Sequence, residues 1–148
     1  MPEILHQVGI HAPLERVQAH FATIEGLADF WTSTVEGDPG PGGELRFYFN
    51  GTEPGAVMEV IDVSPQRVAW RCAQGPEEWI GTEFIFNLTP SENETVVNFA
   101  NTGWREVKEF MGHCSTKWGY FLLGLKQAME GGKPVSFPND LAIIAWEE

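Results

Sequence analysis

Hydrophobic and polar positions alternate with a period of two at the start of the chain. Ile4, His6, Val8 and Ile10 fall on one side and Leu5, Gln7, Gly9 and His11 on the other, which predicts a strand. Ala12-Pro13 closes it. Proline suits the first turn of a helix, and Val17, His20, Phe21 and Ile24 then recur at helical spacing. Glu25-Gly26 interrupts that helix, and Leu27 to Trp31 reads as a second short one ending on the pair Phe30-Trp31. The stretch from Gly37 to Gly43 holds Pro39 and Pro41 between glycines and reads as a flexible loop near a cavity mouth.

After that loop the period of two returns. Leu45, Phe47 and Phe49 alternate with Glu44, Arg46 and Tyr48, and Asn50-Gly51 marks a turn. Ala56 to Val63 forms the next strand, closed by Ser64-Pro65. Val68, Trp70 and Cys72 then share a face opposite Arg67 and Arg71. Beyond the turn at Gly75-Pro76, Thr82, Phe84, Phe86 and Leu88 alternate with Glu83, Ile85 and Asn87. Beyond Ser91-Glu92-Asn93, Val97, Phe99 and Asn101 alternate with Val96, Asn98 and Ala100. Short strands at this spacing predict an antiparallel meander. The period then lengthens. Val107, Phe110, Met111, Cys114, Trp118, Phe121, Leu122, Leu125 and Met129 follow steps of three and four, with Lys108, Glu109, Thr116, Lys117, Lys126, Gln127 and Glu130 opposite. This predicts one helix from about Glu106 to Glu130, on the order of 37 Å long, stopped by Gly131-Gly132.

The order of elements is strand, two short helices, a run of strands and one long helix, which predicts an α+β fold. The economical packing wraps a curved antiparallel sheet of about six to seven strands on the long C-terminal helix. Residues 1–132 form the domain. Residues 133–148 form an extension, with an apolar run from Leu141 to Trp146, expected to pack on its own domain or on the mate in a homodimer. Three glycines in the long helix, Gly112, Gly119 and Gly124, each cost about 1 kcal/mol against alanine, so a strand or the tail should approach the helix closely there.

Composition narrows the function. The 148 residues fit one domain. Nine Lys and Arg against 21 Asp and Glu give a net charge of −12, which repels phosphate backbones and anionic lipid and so argues against nucleic acid and membranes as partners. Six Trp and ten Phe call for an aromatic core or an aromatic-lined cavity. The first residues show no signal-peptide pattern, and the apolar runs Tyr120 to Leu125 and Leu141 to Trp146 are too short to span a bilayer. Cys72 and Cys114 lack a short-range partner and read as buried, reduced thiols, so the expected compartment is the cytoplasm.

Particular residues carry a resemblance. Ile10-His11-Ala12-Pro13-Leu14-Glu15-Arg16-Val17 at the first strand–helix junction, Phe30-Trp31, Gly42-Gly43-Glu44-Leu45-Arg46-Phe47, Glu59-Val60 to Pro65 with Arg67-Val68, Thr95 to Gly103-Trp104, Trp118 and Leu125-Lys126 together resemble the START-like, polyketide-cyclase (SRPBCC) superfamily of helix-grip domains. Within it the chain is most similar to the domain of Aha-type activators of the heat-shock-ninety ATPase and their small bacterial relatives. The resemblance covers residues 1 to about 131.

The resemblance and the aromatic inward faces together point to a small hydrophobic or amphipathic ligand between sheet and C-terminal helix. The candidate lining is Trp31, the sheet row Phe47, Phe49, Trp70, Phe84, Phe86 and Phe99, and Met111, Cys114 and Trp118 on the helix. Asn101 ends an apolar inward row, so its amide needs a partner, either the ligand or the backbone near Gly103. Trp79 and Trp104 complete the tryptophans of interest. No catalytic residue, cofactor or metal site is assigned. His6, His11, His20 and His113 show no metal-ligand spacing, and Glu109 with His113 reads as a solvated pair on one helix face. Two other readings stay open. One is a cyclase- or hydrolase-type enzyme on the same fold, which needs an acid or base facing the cavity, whereas Arg46, Arg71 and Glu83 read as outward. The other, implied by the resemblance to chaperone activators, is a protein-interaction module.

Overall fold

The period-two segments, together with one further edge strand, pair into a single seven-stranded antiparallel sheet in a computed structural model that describes residues 2–147. Met1 and Glu148, the outer ends of the two expected segments, lie outside the described residues. The strands are β1 (Ile4–Ile10), β2 (Thr34–Gly37), β3 (Glu44–Tyr48), β4 (Ala56–Ser64), β5 (Arg67–Gln74), β6 (Glu83–Pro90) and β7 (Thr95–Thr102), in spatial order β1-β7-β6-β5-β4-β3-β2. Helices α1 (Leu14–Ala22) and α2 (Ile24–Phe30) follow β1, and α3 (Glu109–Met129) follows β7. The expected α+β helix-grip architecture is the one observed. The alternation is kept in β6 and β7: β7 is buried at Thr95, Val97, Phe99 and Asn101 and half-buried between them, and β6 is buried at Phe84, Phe86 and Leu88. In β4 and β5 three consecutive residues are buried, Ala56-Val57-Met58 and Val68-Ala69-Trp70.

The pairing explains the outward charges. Arg71 and Glu83 are cross-strand partners with a 3.1 Å ion pair, and Arg46 reaches Glu44 at 3.3 Å. Register slips after Val57 and after Val60 bend β4, which curls the sheet around the core. Thr23 separates the two short helices. Its hydroxyl accepts from Gly26 N at 3.0 Å as the cap of α2 and donates to Ala19 O at the end of α1. The rings of Phe21 and Phe30 then reach Phe86 on the sheet, the first pair stacked at 4.3 Å.

The break between the short helices falls at Thr23, whose side chain caps α2, and not at Glu25-Gly26, which lies inside α2. Two more features differ from the sequence expectation. The edge strand β2 is absent from it, because Thr34–Gly37 offers one buried apolar residue, Val35, too few for a period. The glycine–proline loop does not sit at a cavity mouth. It joins β2 to β3 and is pinned to β4 by Gly42 N to Val60 O at 2.9 Å and Val60 N to Gly43 O at 2.8 Å.

Helix α3 packs across the sheet and is tied down at its C-terminal end. There Lys126 Nζ donates to Gly9 O at 2.6 Å and to Glu130, whose carboxylate also accepts from His11 N. The His11 amide and then Lys126 hold the Glu130 carboxyl below its usual range. The close approaches expected at the helix glycines are found at two of the three. A Cβ on Gly119 would lie 3.2 Å from the His6 ring of β1, and one on Gly124 would collide with Val135 of the tail. Gly112 faces open space.

The tail folds back on its own domain. Ser33 N donates to Phe137 O and Phe137 N to Trp31 O, each at 2.9 Å, and Ser136 Oγ donates to Ala28 O at 2.6 Å. It then lies along α3, where Lys117 Nζ meets Asp140 Oδ2 at 2.6 Å and Leu141 O at 3.0 Å, and Tyr120 OH accepts from Leu141 N. A short 3-10 turn, Ala145–Glu147, ends it. Leu141, Ile144 and Trp146 remain exposed.

Candidate functional site

The space between α3 and the middle of the sheet is filled. Phe47, Trp70, Phe84, Phe86 and Phe99 are all buried, with ring centroids 5.0 to 5.5 Å from neighbours such as Trp118 and one another. These five candidates therefore do not line an opening. Large planar rings on the inward faces of β3, β5, β6 and β7 meet one another and the rings of Trp31 and Trp118 before a gap can form. Trp70 Nε1 has no hydrogen-bond partner among the described residues. Met111 is half-buried at the core edge and also lies outside the opening.

The opening is at one end of the sheet, where α3, the β3–β4 turn, the β5–β6 connection and the tail converge. It is a pocket of about 550 Å³, within the roughly 300–1,000 Å³ usual for small-molecule sites. Four of the eleven candidates line it: Trp31, Phe49, Cys114 and Trp118. Trp79 and Phe110 add two more aromatic walls. The tail supplies Phe137, Asp140, Ala142, Trp146 and Glu147. Trp118 is the floor, touching Trp31 at 4.9 Å on one side and Phe84 and Phe99 on the other.

Asn101 is not in the pocket wall. Its Nδ2 donates to Thr82 Oγ1 at 3.2 Å and Glu83 O at 3.0 Å, and its Oδ1 accepts from Trp104 Nε1 at 2.7 Å. Both the ligand and the Gly103 backbone are thus superseded as its partner. The chain of bonds nevertheless reaches the pocket. Thr82 Oγ1 donates to Trp79 O at 2.7 Å, and Trp79 Nε1 donates to Cys114 Sγ at 3.4 Å. Arg105 supports the same 3-10 turn, Glu77–Trp79, through bonds to Glu77 O and Ile80 O. Asn101 and Arg105 position the Trp79 wall from behind.

The thiols do not form a pair in this structure. Cys72 Sγ donates to Gln74 O, Cys114 receives Trp79, and both are free. Burial pushes the Cys72 thiol up to about 11 and the Cys114 thiol to about 12, so neither is a nucleophile near neutral pH.

The ionisable groups at the pocket come from a place that the periodicity does not suggest. Lys117, on the solvated side of α3 by periodicity, is covered by the tail, its side chain only 12% exposed. It pairs with Asp140 at 2.6 Å and lies 3.5 Å from Glu147. His113 is not solvated beside Glu109. Its ring lies 4.5 Å from that of Trp146, with Nε2 3.5 Å from Glu147. Burial lowers its pKa, against the pull of Glu147, and Lys117 lowers it further. These residues escape sequence reasoning because their environment is made by a tail with no periodicity. His113, Lys117, Asp140 and Glu147 thus line the pocket beside Cys114. Among the described residues no three His, Cys, Asp or Glu side chains gather closely enough to hold a metal ion, and no helix is long and apolar enough to cross a membrane.

Comparison with known proteins accords with this architecture. The family model described as "Activator of Hsp90 ATPase homolog 1-like protein" matches residues 11–130. The chain belongs to that family. As a member of this START-like group it is similar to the Aha1 of Colwellia psychrerythraea, solved in solution as a dimer, at 41% identity over 90% of this chain and 99% of that one, with a TM-score of 0.81. Two more distant structures share the fold. Protein SSP2350 of Staphylococcus saprophyticus is 21% identical, covering 90% of this chain and 95% of its own, with a TM-score of 0.72. CalU16 of Micromonospora echinospora is 16% identical, covering 89% and 76%, with a TM-score of 0.71. No curated protein sequence matches the chain.

Proposed function

We propose that this family member binds a small hydrophobic or amphipathic molecule in the pocket enclosed by α3, the Trp31–Phe49 end of the sheet and the C-terminal segment. The observation that carries this reading is the pocket itself: four tryptophans, Trp31, Trp79, Trp118 and Trp146, around about 550 Å³, with the charged groups Lys117, Asp140 and Glu147 clustered together. In this reading residues 1–132 form the helix-grip domain and residues 133–148 an extension that serves as an outer wall. A homodimer belongs to the same reading. It is supported by the exposed Leu141, Ile144 and Trp146 and by the dimer of the similar Colwellia protein.

Calorimetric titration with the neutral probe 1-naphthylmethanol tests the reading. The expected result is saturable binding at one site per chain, weakened at least about tenfold by Ala142→Trp, which fills the pocket from an exposed tail position. Absence of saturation, or binding indifferent to Ala142→Trp, would refute it.

A further inference from the structure

We infer that the pocket selects an organic cation, an alkylammonium on a small apolar body, with the charge beside Glu147 and the body among the tryptophans. This rests on the binding reading above and names its ligand class.

The inference starts from the charges at the pocket. Lys117 is the one Lys or Arg in its wall among the described residues, and its ammonium is already engaged. An ammonium has three donors. Here one goes to Asp140 Oδ2 at 2.6 Å and one to Leu141 O at 3.0 Å, while Glu147 Oε1 stands at 3.5 Å. An incoming carboxylate or phosphate would find this cation engaged and two carboxylates in its way. One ammonium against two carboxylates leaves a surplus negative charge, and Glu147 carries it. Its Oε1 accepts from Ile143 N at 3.0 Å, and its Oε2 faces His113 Nε2 at 3.5 Å, beyond good hydrogen-bonding distance. The His113 ring, enclosed by Phe110 and Trp146, is held toward its neutral form by burial and so does not cancel the charge.

The walls favour the same ligand. Aromatic faces are negative, and a cation within about 6 Å of a ring centroid gains about 0.5–2 kcal/mol, more for tryptophan than for the other rings. Trp79, Phe110 and Trp146 all line the pocket, and the Trp146 ring lies against His113 beside Glu147. The net charge of −12 adds a long-range attraction for cations. An apolar body satisfies the aromatic floor, and an ammonium satisfies the unmatched carboxylate.

Three probes of one shape test this: 1-naphthylmethylamine, 1-naphthylmethanol and 1-naphthoate, titrated into the full chain by calorimetry near pH 7.5 at low salt. The expected order is amine, alcohol, carboxylate, with the amine at least about tenfold tighter than the alcohol. Glu147→Gln should bring amine and alcohol within about twofold of one another. Its unfolding midpoint, measured in parallel, shows whether the variant is folded. In the wild type, 0.5 M salt should narrow the preference. An alcohol that binds as tightly as the amine, a carboxylate that binds tightest, or a preference that survives Glu147→Gln would overturn the cation assignment and leave the binding reading standing. Failure of all three probes to saturate would overturn both.

Discussion

Trp118→Ala should destabilise the protein by about 3–5 kcal/mol, the range for removing a large buried aromatic, and lower the thermal midpoint by roughly 10 °C or more. Trp118 is buried and its ring contacts Phe30, Trp31, Phe84, Phe99 and Phe121. It therefore joins α2, α3 and the sheet through direct ring contact while also forming the pocket floor. Truncation leaves rings on three elements facing a void, and the neighbouring pocket extends into it. Trp118→Phe keeps a ring over Phe99 and should recover more than half of the loss. Urea unfolding measures both variants. A loss under 1 kcal/mol for Trp118→Ala would mean that the helix is not gripped through this ring.

Asn101→Ala should cost about 2–4 kcal/mol. Each hydrogen bond to a buried group contributes about 1 kcal/mol, and a buried donor left unpaired costs about 1–3 kcal/mol more. Asn101 is fully buried, and the substitution leaves Trp104 Nε1, also buried, without its acceptor. Asn101→Leu fills the volume and should be no better, because the Trp104 donor stays orphaned. That result would separate lost polarity from lost packing. Because Thr82 passes the network on to Trp79, both variants should also weaken binding of 1-naphthylmethanol. Unfolding free energies within 1 kcal/mol of wild type would show that the network contributes little to stability.

The strands and their inward rows are legible in the residue pattern. Val97-Phe99-Asn101 and Phe84-Phe86-Leu88 follow from the period of two, because side chains alternate across a strand whatever the partner. Asn101 stands out as a polar residue in an apolar row, but its partner depends on strand register: Phe84 pairs with Asn101, which brings Thr82 and Glu83 alongside. The inward direction of Trp31 and Trp118 is equally legible. Whether inward rings touch or stand apart depends on sub-ångström packing, which no pattern encodes, and here Phe47, Trp70, Phe84, Phe86 and Phe99 touch. Periodicity places Lys117 and His113 in solvent because it describes a helix with one covered face. The tail covers a second face with Asp140, Trp146 and Glu147, through contacts 23 and 34 residues apart along the chain. Thr34–Gly37 is too short to show a repeat, so β2 leaves no mark in the pattern.

The most direct test of the central claim, that a small molecule occupies the tryptophan-walled pocket, uses the six indole N–H signals of the ¹⁵N-labelled protein during titration with 1-naphthylmethanol. Trp31, Trp79, Trp118 and Trp146 line the pocket, while Trp104 is buried against Asn101 and away from it. The expected result is saturating shifts at Trp79, Trp118 and Trp146 with Trp104 unmoved. Shifts confined to the exposed Trp146 and rising without saturation, or none at all, would contradict it.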